Sequence, residues 1–175
     1  MAKINSKGKG DKFEREVSKF LSGHFKDILK VDNAFQRNRS SGAYLGGKNS
    51  HRAIGMLEEQ KIVGDIITPS NFVYEIECKH YRTPPTYKQL ITGKIAQWDK
   101  WIKQALSDVK TSGKYSMMLF IKYNLNPEII IVEKTKFPLE EIKPVYYYDK
   151  SFAVISYDLF KVIPKDKFFK QKQGE

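Results

Sequence analysis

Asp65 and the triplet Glu77-Cys78-Lys79 place two carboxylates and a lysine within one short stretch of chain, each inside an apolar surround. Magnesium prefers oxygen ligands and commonly takes one or two carboxylates, with waters and a substrate phosphate completing its shell. Such an ion generates hydroxide, polarises a phosphoryl group and stabilises a leaving oxygen. Asp65 and Glu77 can serve as the carboxylates if their strands pair, and the main-chain carbonyl of Cys78 can add another oxygen. Lys79 would bring positive charge beside the attacking water or the phosphate, and a partly buried lysine near a metal is expected to have a lowered pKa.

The elements around these residues must aim them. Strand residues alternate between faces, so Glu75, Glu77 and Lys79 share one side while Tyr74, Ile76 and Cys78 share the other. The second set is apolar and is expected to face the core. Carboxylates opposite it would be costly if buried without partners, and a bound cation removes that cost. Glu-x-Lys by itself is a weak signal. A second copy, Glu141-Ile142-Lys143, abuts Pro144 and has no aspartate close upstream. Only the first copy has an aspartate twelve positions earlier, with a turn between. The plain alternative is a half-exposed strand bearing ordinary surface charges.

Composition narrows the partner. The chain has 175 residues, with 31 Lys+Arg against 20 Asp+Glu and a net charge of +11. Such an excess suits a polyanion, whose counterions are released when its phosphates are neutralised. With 41% apolar residues, one domain with its own core is expected. No apolar run approaches the roughly 20 residues that span a bilayer, so no membrane partner is expected. The basic start, Met1 to Lys9, lacks the apolar stretch of a signal peptide. Cys78 is the sole cysteine, which excludes an intrachain disulfide and a cysteine zinc cage and suits a reducing, cytoplasmic compartment.

Along the chain, Asp11 is placed to cap a helix carrying Phe13, Val17, Phe20 and Leu21, ending near Gly23. Residues 28–35 read as an extended segment and 53–60 as a short helix. Strands are expected over 62–68 and 72–80, joined by a turn at Pro69-Ser70-Asn71. Ile91, Ile95, Trp98, Ile102, Ala105 and Val109 form one apolar stripe, which predicts one continuous helix from Lys88 to Gly113. Strands at 117–123 and 128–133 follow, then a hairpin from 145–152 and 153–160. The order predicts an α/β fold with a mixed central sheet flanked by helices.

Four stretches together, Lys9-Gly10-Asp11-Lys12-Phe13-Glu14-Arg15-Glu16-Val17, Arg39-Ser40-Ser41-Gly42, Gly64-Asp65-Ile66-Ile67 and Ile76-Glu77-Cys78-Lys79, resemble the PD-(D/E)xK nuclease superfamily. The order of motifs over residues 7–123 is most similar to archaeal-type Holliday-junction resolvases and related phage endonucleases. The resemblance implies a restriction-endonuclease-like fold. It also implies a magnesium-dependent endonuclease, with manganese able to substitute, acting on DNA and most plausibly on four-way junctions as a homodimer. Asp65 and Glu77 would be the metal carboxylates, Lys79 the catalytic lysine, and Glu14 a further acid reaching the metal directly or through water. Glu16 points about 200° away from Glu14 on the helix. Arg15, Arg39 and Ser41 would approach phosphates, and Lys9, Arg37, Lys48, Arg52 and Lys122 are further DNA-binding candidates. Residues 1–10 would be a flexible basic arm, 11–164 the nuclease domain and 165–175 a basic tail. The sequence departs from the pattern in having Gly64 where proline is expected. It also has about twenty residues between Gly42 and Gly64, so that 43–61 reads as a mobile loop.

Other features have plainer readings. His24, His51 and His80 show no metal-binding spacing, and Cys78 has no base to activate it. Trp98 and Trp101 belong with core or dimer packing, and Gly8-Lys9-Gly10 is too short for a phosphate loop. Two alternatives stay open: a restriction-like or nicking endonuclease on linear duplex, and a DNA-binding module without catalysis. A virus-encoded protein acting inside a host cell fits the same resemblance.

Overall fold

A computed structural model describes residues 6–38 and 63–170. The chain begins with helix α1 (Ser6–His24), the short α2 (Lys26–Leu29) and strand β1 (Gln36–Arg37). Strands β2 (Ile66–Ile67) and β3 (Tyr74–Tyr81) lead to helices α3 (Tyr87–Thr92) and α4 (Ala96–Ser112). The remainder is β4 (Ser116–Tyr123), β5 (Ile129–Glu133), β6 (Tyr146–Tyr148), β7 (Phe152–Ser156) and α5 (Tyr157–Val162). The central sheet has the order β3-β4-β5-β7-β6. Its β3–β4 pair is parallel, because α4 carries the chain back across the sheet, and every other pair is antiparallel. This mixed sheet flanked by helices is the restriction-endonuclease-like arrangement expected from the sequence.

Two apolar layers hold the sheet. On one face, Phe13, Val17, Leu21 and Phe25 meet Tyr74, Ile76, Cys78, Met118 and Phe120, with Phe160 and Phe168 closing the layer. On the other, Ile95, Trp98, Trp101, Ile102 and Ala105 of the α4 region cover Met117, Leu119 and Ile121. The alternation expected for β3 is therefore realised. Tyr74, Ile76 and Cys78 face α1, and Glu75, Glu77 and Lys79 share the register of Met117, Leu119 and Ile121 on the α4 side. Trp98 is buried in that layer and donates its indole N–H to the Tyr123 hydroxyl at 2.7 Å.

Several local expectations are corrected. Helix α1 starts at Ser6, so Asp11 lies inside it and is free to use its carboxylate sideways. The predicted continuous helix is two, because Gly93 adopts φ 63° and closes α3 with its N–H on the carbonyls of Gln89 and Leu90. Ile91 falls outside the core in consequence, 66% exposed, although its spacing matches the stripe. The expected hairpin before Tyr74 does not form as a ladder. β2 pairs with β1, while Phe72 bridges Phe169 and the Val73 N–H donates to the Phe168 carbonyl. Residues 28–35 contain the end of α2 and a turn, and the expected second strand of the last hairpin gives way at Tyr157 to α5, capped by Ser156. The start of the 165–175 segment is a 3₁₀ turn, Lys165–Phe168, whose Phe168 is fully buried among aromatic rings. Among the described residues, no helix is long and apolar enough to cross a membrane.

Candidate active site

Strand β3 forms one edge of the sheet, and Asp65 reaches that edge through both main chain and side chain. Its N–H donates to the Ile76 carbonyl at 2.9 Å, and its Oδ2 accepts the Cys78 N–H at 2.8 Å. The end of β1 completes the support. The Asn38 N–H donates to the Asp65 carbonyl and its side-chain Nδ2 to the Gly64 carbonyl, both at 2.9 Å. Gly64 has φ +72°, and a Cβ there would collide with Glu75 Oε1 and stand 2.9 Å from the Ile76 carbonyl oxygen. Proline, locked near −65°, cannot take this conformation. The departure from the expected proline thus has a steric cause, and the carboxylate stays in place.

Glu77 and Lys79 project from β3 toward α4. The Lys79 ammonium donates to Glu77 Oε1 and stands 3.9 Å from Asp65 Oδ2, so it lies between the two carboxylates. Gln104, on α4, donates its Nε2 to the same Glu77 oxygen at 2.7 Å. Gln104 is absent from the sequence-derived set, since a half-buried glutamine beside an apolar stripe carries no distinctive spacing. Its one signal is position, between the core residues Ile102 and Ala105 on the helix that follows the Glu-x-Lys strand. Asn38 is likewise new, and its role depends on contacts with residues far along the chain.

Burial raises the Glu77 carboxyl well above the ordinary range and the neighbouring Asp65 charge adds to this, against the pull of Lys79. For Lys79 burial acts downward, yet Glu77 and Asp65 outweigh it and its pKa is raised. The lysine's nearest neighbours here are anions, and they stabilise its charge. Burial also raises the Cys78 thiol well above its usual range, which agrees with a core residue and not a nucleophile.

A buried carboxylate such as Glu77, with a second acid beside it, gains from a nearby cation. Among the described residues no three His, Cys, Asp or Glu side chains form a complete cage. A divalent ion of the magnesium type does not require one, since waters and substrate phosphate fill most of its positions. Asp65 and Glu77 fit that kind of site.

Glu14 approaches from α1. Its Oε2 accepts from Arg37 Nε, and the other arm of the guanidinium holds Asp11, one helical turn earlier. Burial raises the Glu14 carboxyl, the Arg37 hydrogen bond opposes this, and Asp65 again pushes it upward. Glu16, on another side of α1, pairs at 2.9 Å with Lys122, which also holds Glu128 at 2.9 Å. Lys9 stays near the far end of β3, where its Nζ is 3.5 Å from Asn124 Oδ1 and His80 Nε2 is 3.1 Å from the same oxygen. Arg15 is exposed beside Arg37, on the outer side of α1. The structure therefore gathers Asp65, Glu77, Lys79 and Glu14 at one sheet edge, engages Arg37 and Lys122 with acids, and leaves Arg15 open. Arg39, Ser41, Lys48, Arg52 and the 43–61 loop lie outside the described residues, as do His51, the expected 53–60 helix and the first five residues of the arm.

Comparison with protein-family models matches residues 5–165 to a family described as "phage putative PDDEXK endonuclease". Searches of curated proteins and of solved structures find no match. A match over nearly the whole chain, to a family defined by an aspartate and an acid-x-lysine strand, agrees with the cluster at the β3 edge: the chain belongs to this phage PDDEXK endonuclease family.

Proposed function

We propose that the protein is a metal-dependent DNA endonuclease that hydrolyses phosphodiester bonds, with branched DNA such as a four-way junction as its preferred substrate. The observation that carries the reading is the convergence of Asp65 and Glu77 on Lys79 at the β3 edge of the sheet. Asp65 and Glu77 would hold magnesium, or manganese in its place, together with the Cys78 main-chain carbonyl, and Glu14 would act through a water. When bound, the ion would acidify a water and draw charge from the phosphoryl oxygens.

The protein groups have distinct tasks. The Cys78 N–H holds the Asp65 carboxylate at the edge, and the Asn38 N–H and Nδ2 fix the carbonyls of Asp65 and Gly64. Gln104 and Lys79 both donate to Glu77 Oε1, which leaves the acid's second oxygen to turn toward an ion. Lys79, paired with Glu77 and beside Asp65, would place positive charge next to the phosphate. Symmetric cleavage of a junction needs two such sites, and a two-fold homodimer would supply them.

Asp65→Asn and Glu77→Gln, assayed with magnesium or manganese, test the site. Asparagine retains an oxygen for the Cys78 N–H, so the fold is kept while the charge is lost. Cleavage should fall by at least ~100-fold with DNA binding retained, and undiminished cleavage by either variant refutes the metal assignment. Junction preference is tested by cleavage of a four-way junction against matched linear duplex. Equal rates would favour a restriction-like or nicking enzyme.

A further inference from the structure

An open groove of about 530 Å³ runs between the outer side of α1 and β1, lined by Arg15, Ser18, Lys19, Asn33, Gln36 and Arg37, with Phe35 beneath them. Three of these residues are cationic, three are neutral and polar, and none is acidic. The acids of α1 lie elsewhere: Asp11 and Glu14 are turned toward Arg37, and Glu16 toward Lys122. Helix α1 is thus divided lengthwise, one side carrying carboxylates to the sheet edge and the other carrying Arg15 and Lys19 to solvent.

Arg15 and Lys19 are four residues apart, which sets them about 6 Å apart along the helix axis. Consecutive phosphates on one strand rise by about 3.4 Å along the duplex axis and are also turned about it. Their separation therefore exceeds that rise, and two long side chains so placed can reach both. Phe35 is almost fully buried, so the groove offers a base no ring to stack on; its exposed chemistry is that of a backbone site. Arg37 joins the groove to the candidate active site, because the residue lines the one and its guanidinium hydrogen-bonds Glu14 in the other. A strand lying in the groove would therefore lead to the carboxylates.

We propose that this groove binds two consecutive backbone phosphates of the DNA strand being cut, through Arg15 and Lys19, and so sets the register at which that strand meets Asp65 and Glu77. The proposal rests on the endonuclease reading and adds to it the path of the strand. Contacts of Arg15 and Lys19 to phosphate carry no nucleotide identity.

The test is binding without metal, followed by the fluorescence anisotropy of labelled duplex and junction DNA over a range of salt. The Arg15→Ala/Lys19→Ala variant is compared with wild type and with a charge-matched control, Lys134→Ala/Lys150→Ala, at exposed positions by the far strands β5 and β7. Loss of two phosphate contacts makes the slope of log K against log salt shallower by about 1.8, so from about 50 mM to about 200 mM the wild type loses about 12-fold more affinity than the groove variant. The control should keep the wild-type slope. An unchanged slope in the groove variant, or an equal change in the control, overturns the proposal. Methylphosphonates placed one at a time along the strand give the register: at two adjacent positions they should weaken the wild type and leave the groove variant unaffected. A uniform effect at all positions also overturns it. Because no cleavage is needed, failure here is distinct from failure of the endonuclease reading, which the Asp65 and Glu77 variants report.

Discussion

Glu75 offers a quantitative check on how the sheet edge is built. It is 4% exposed, packed where the Gly64 Cα approaches β3, and burial raises its pKa to about 8, with Ser112 and Lys114 pulling the other way. In the unfolded chain the same carboxyl titrates near 4.5. Between these values the folded protein holds a proton that the unfolded chain has released. Its contribution to stability is therefore complete below about pH 4.5, declines as pH rises, and is lost once pH passes about 8. At about 1.4 kcal/mol per unit, the displacement amounts to a ceiling of about 5 kcal/mol. Glu75→Gln keeps the shape and replaces the carboxyl by a polar amide that cannot titrate. Urea unfolding of both proteins from about pH 5 to about pH 8.5 should show wild type losing several kcal/mol relative to the variant, with the difference levelling off at the alkaline end. Titrations common to both proteins cancel in the difference. Parallel curves would refute the reasoning, for they would mean that Glu75 ionises in the folded protein as freely as in the unfolded chain.

Further outcomes follow from other contacts. Gly64→Ala combines a positive φ with a Cβ collision at Glu75 and should cost about 2 to 5 kcal/mol; a thermal midpoint equal to wild type would contradict the close packing. Phe168→Ala removes a fully buried ring from the aromatic layer and should cost about 3 to 5 kcal/mol by denaturant unfolding, whereas a loss below about 1 kcal/mol would return that segment to the role of a loose tail. Gln104→Leu removes one of two donors to Glu77 Oε1. Since a hydrogen bond to a charged group is worth about 1.5 to 3 kcal/mol, kcat should fall by about 10- to 100-fold with DNA affinity unchanged, and an unaltered kcat would show that Lys79 alone holds the acid.

The β3 edge was legible because its pattern is local. Alternation of Tyr74, Ile76 and Cys78 with Glu75, Glu77 and Lys79 needs only the period of a strand, and the burial of the first set follows from it. Asp65 stood out by its distance from the triplet, although the way it docks did not, because two hydrogen bonds to β3 replace the hairpin that the turn residues suggested. Spacing misled at Ile91, where the helical period continues through Gly93 but the backbone does not. Phe168 was hidden among lysines, and its burial depends on the rings of Phe25 and Phe72, far away in the chain, as well as on the nearby Phe160. Gln104 and Asn38 share that limitation, since a hydrogen bond between distant segments leaves no trace in the order of residues.

The docking of Asp65 has a consequence for how the molecule behaves among other copies of itself. An eight-residue outer strand with a mostly buried interior is the sort of edge on which another chain can continue a sheet. At its centre, the Ile76 carbonyl and the Cys78 N–H are already taken by the backbone and carboxylate of Asp65. The opposite edge strand, β6, is only three residues long and follows Lys143-Pro144, which blunts it by other means. Asp65 is thus a guard against runaway strand addition as well as a candidate metal ligand. A lineage that lost the chemistry would still be held at this position to residues, such as asparagine, that keep an oxygen within reach of the strand.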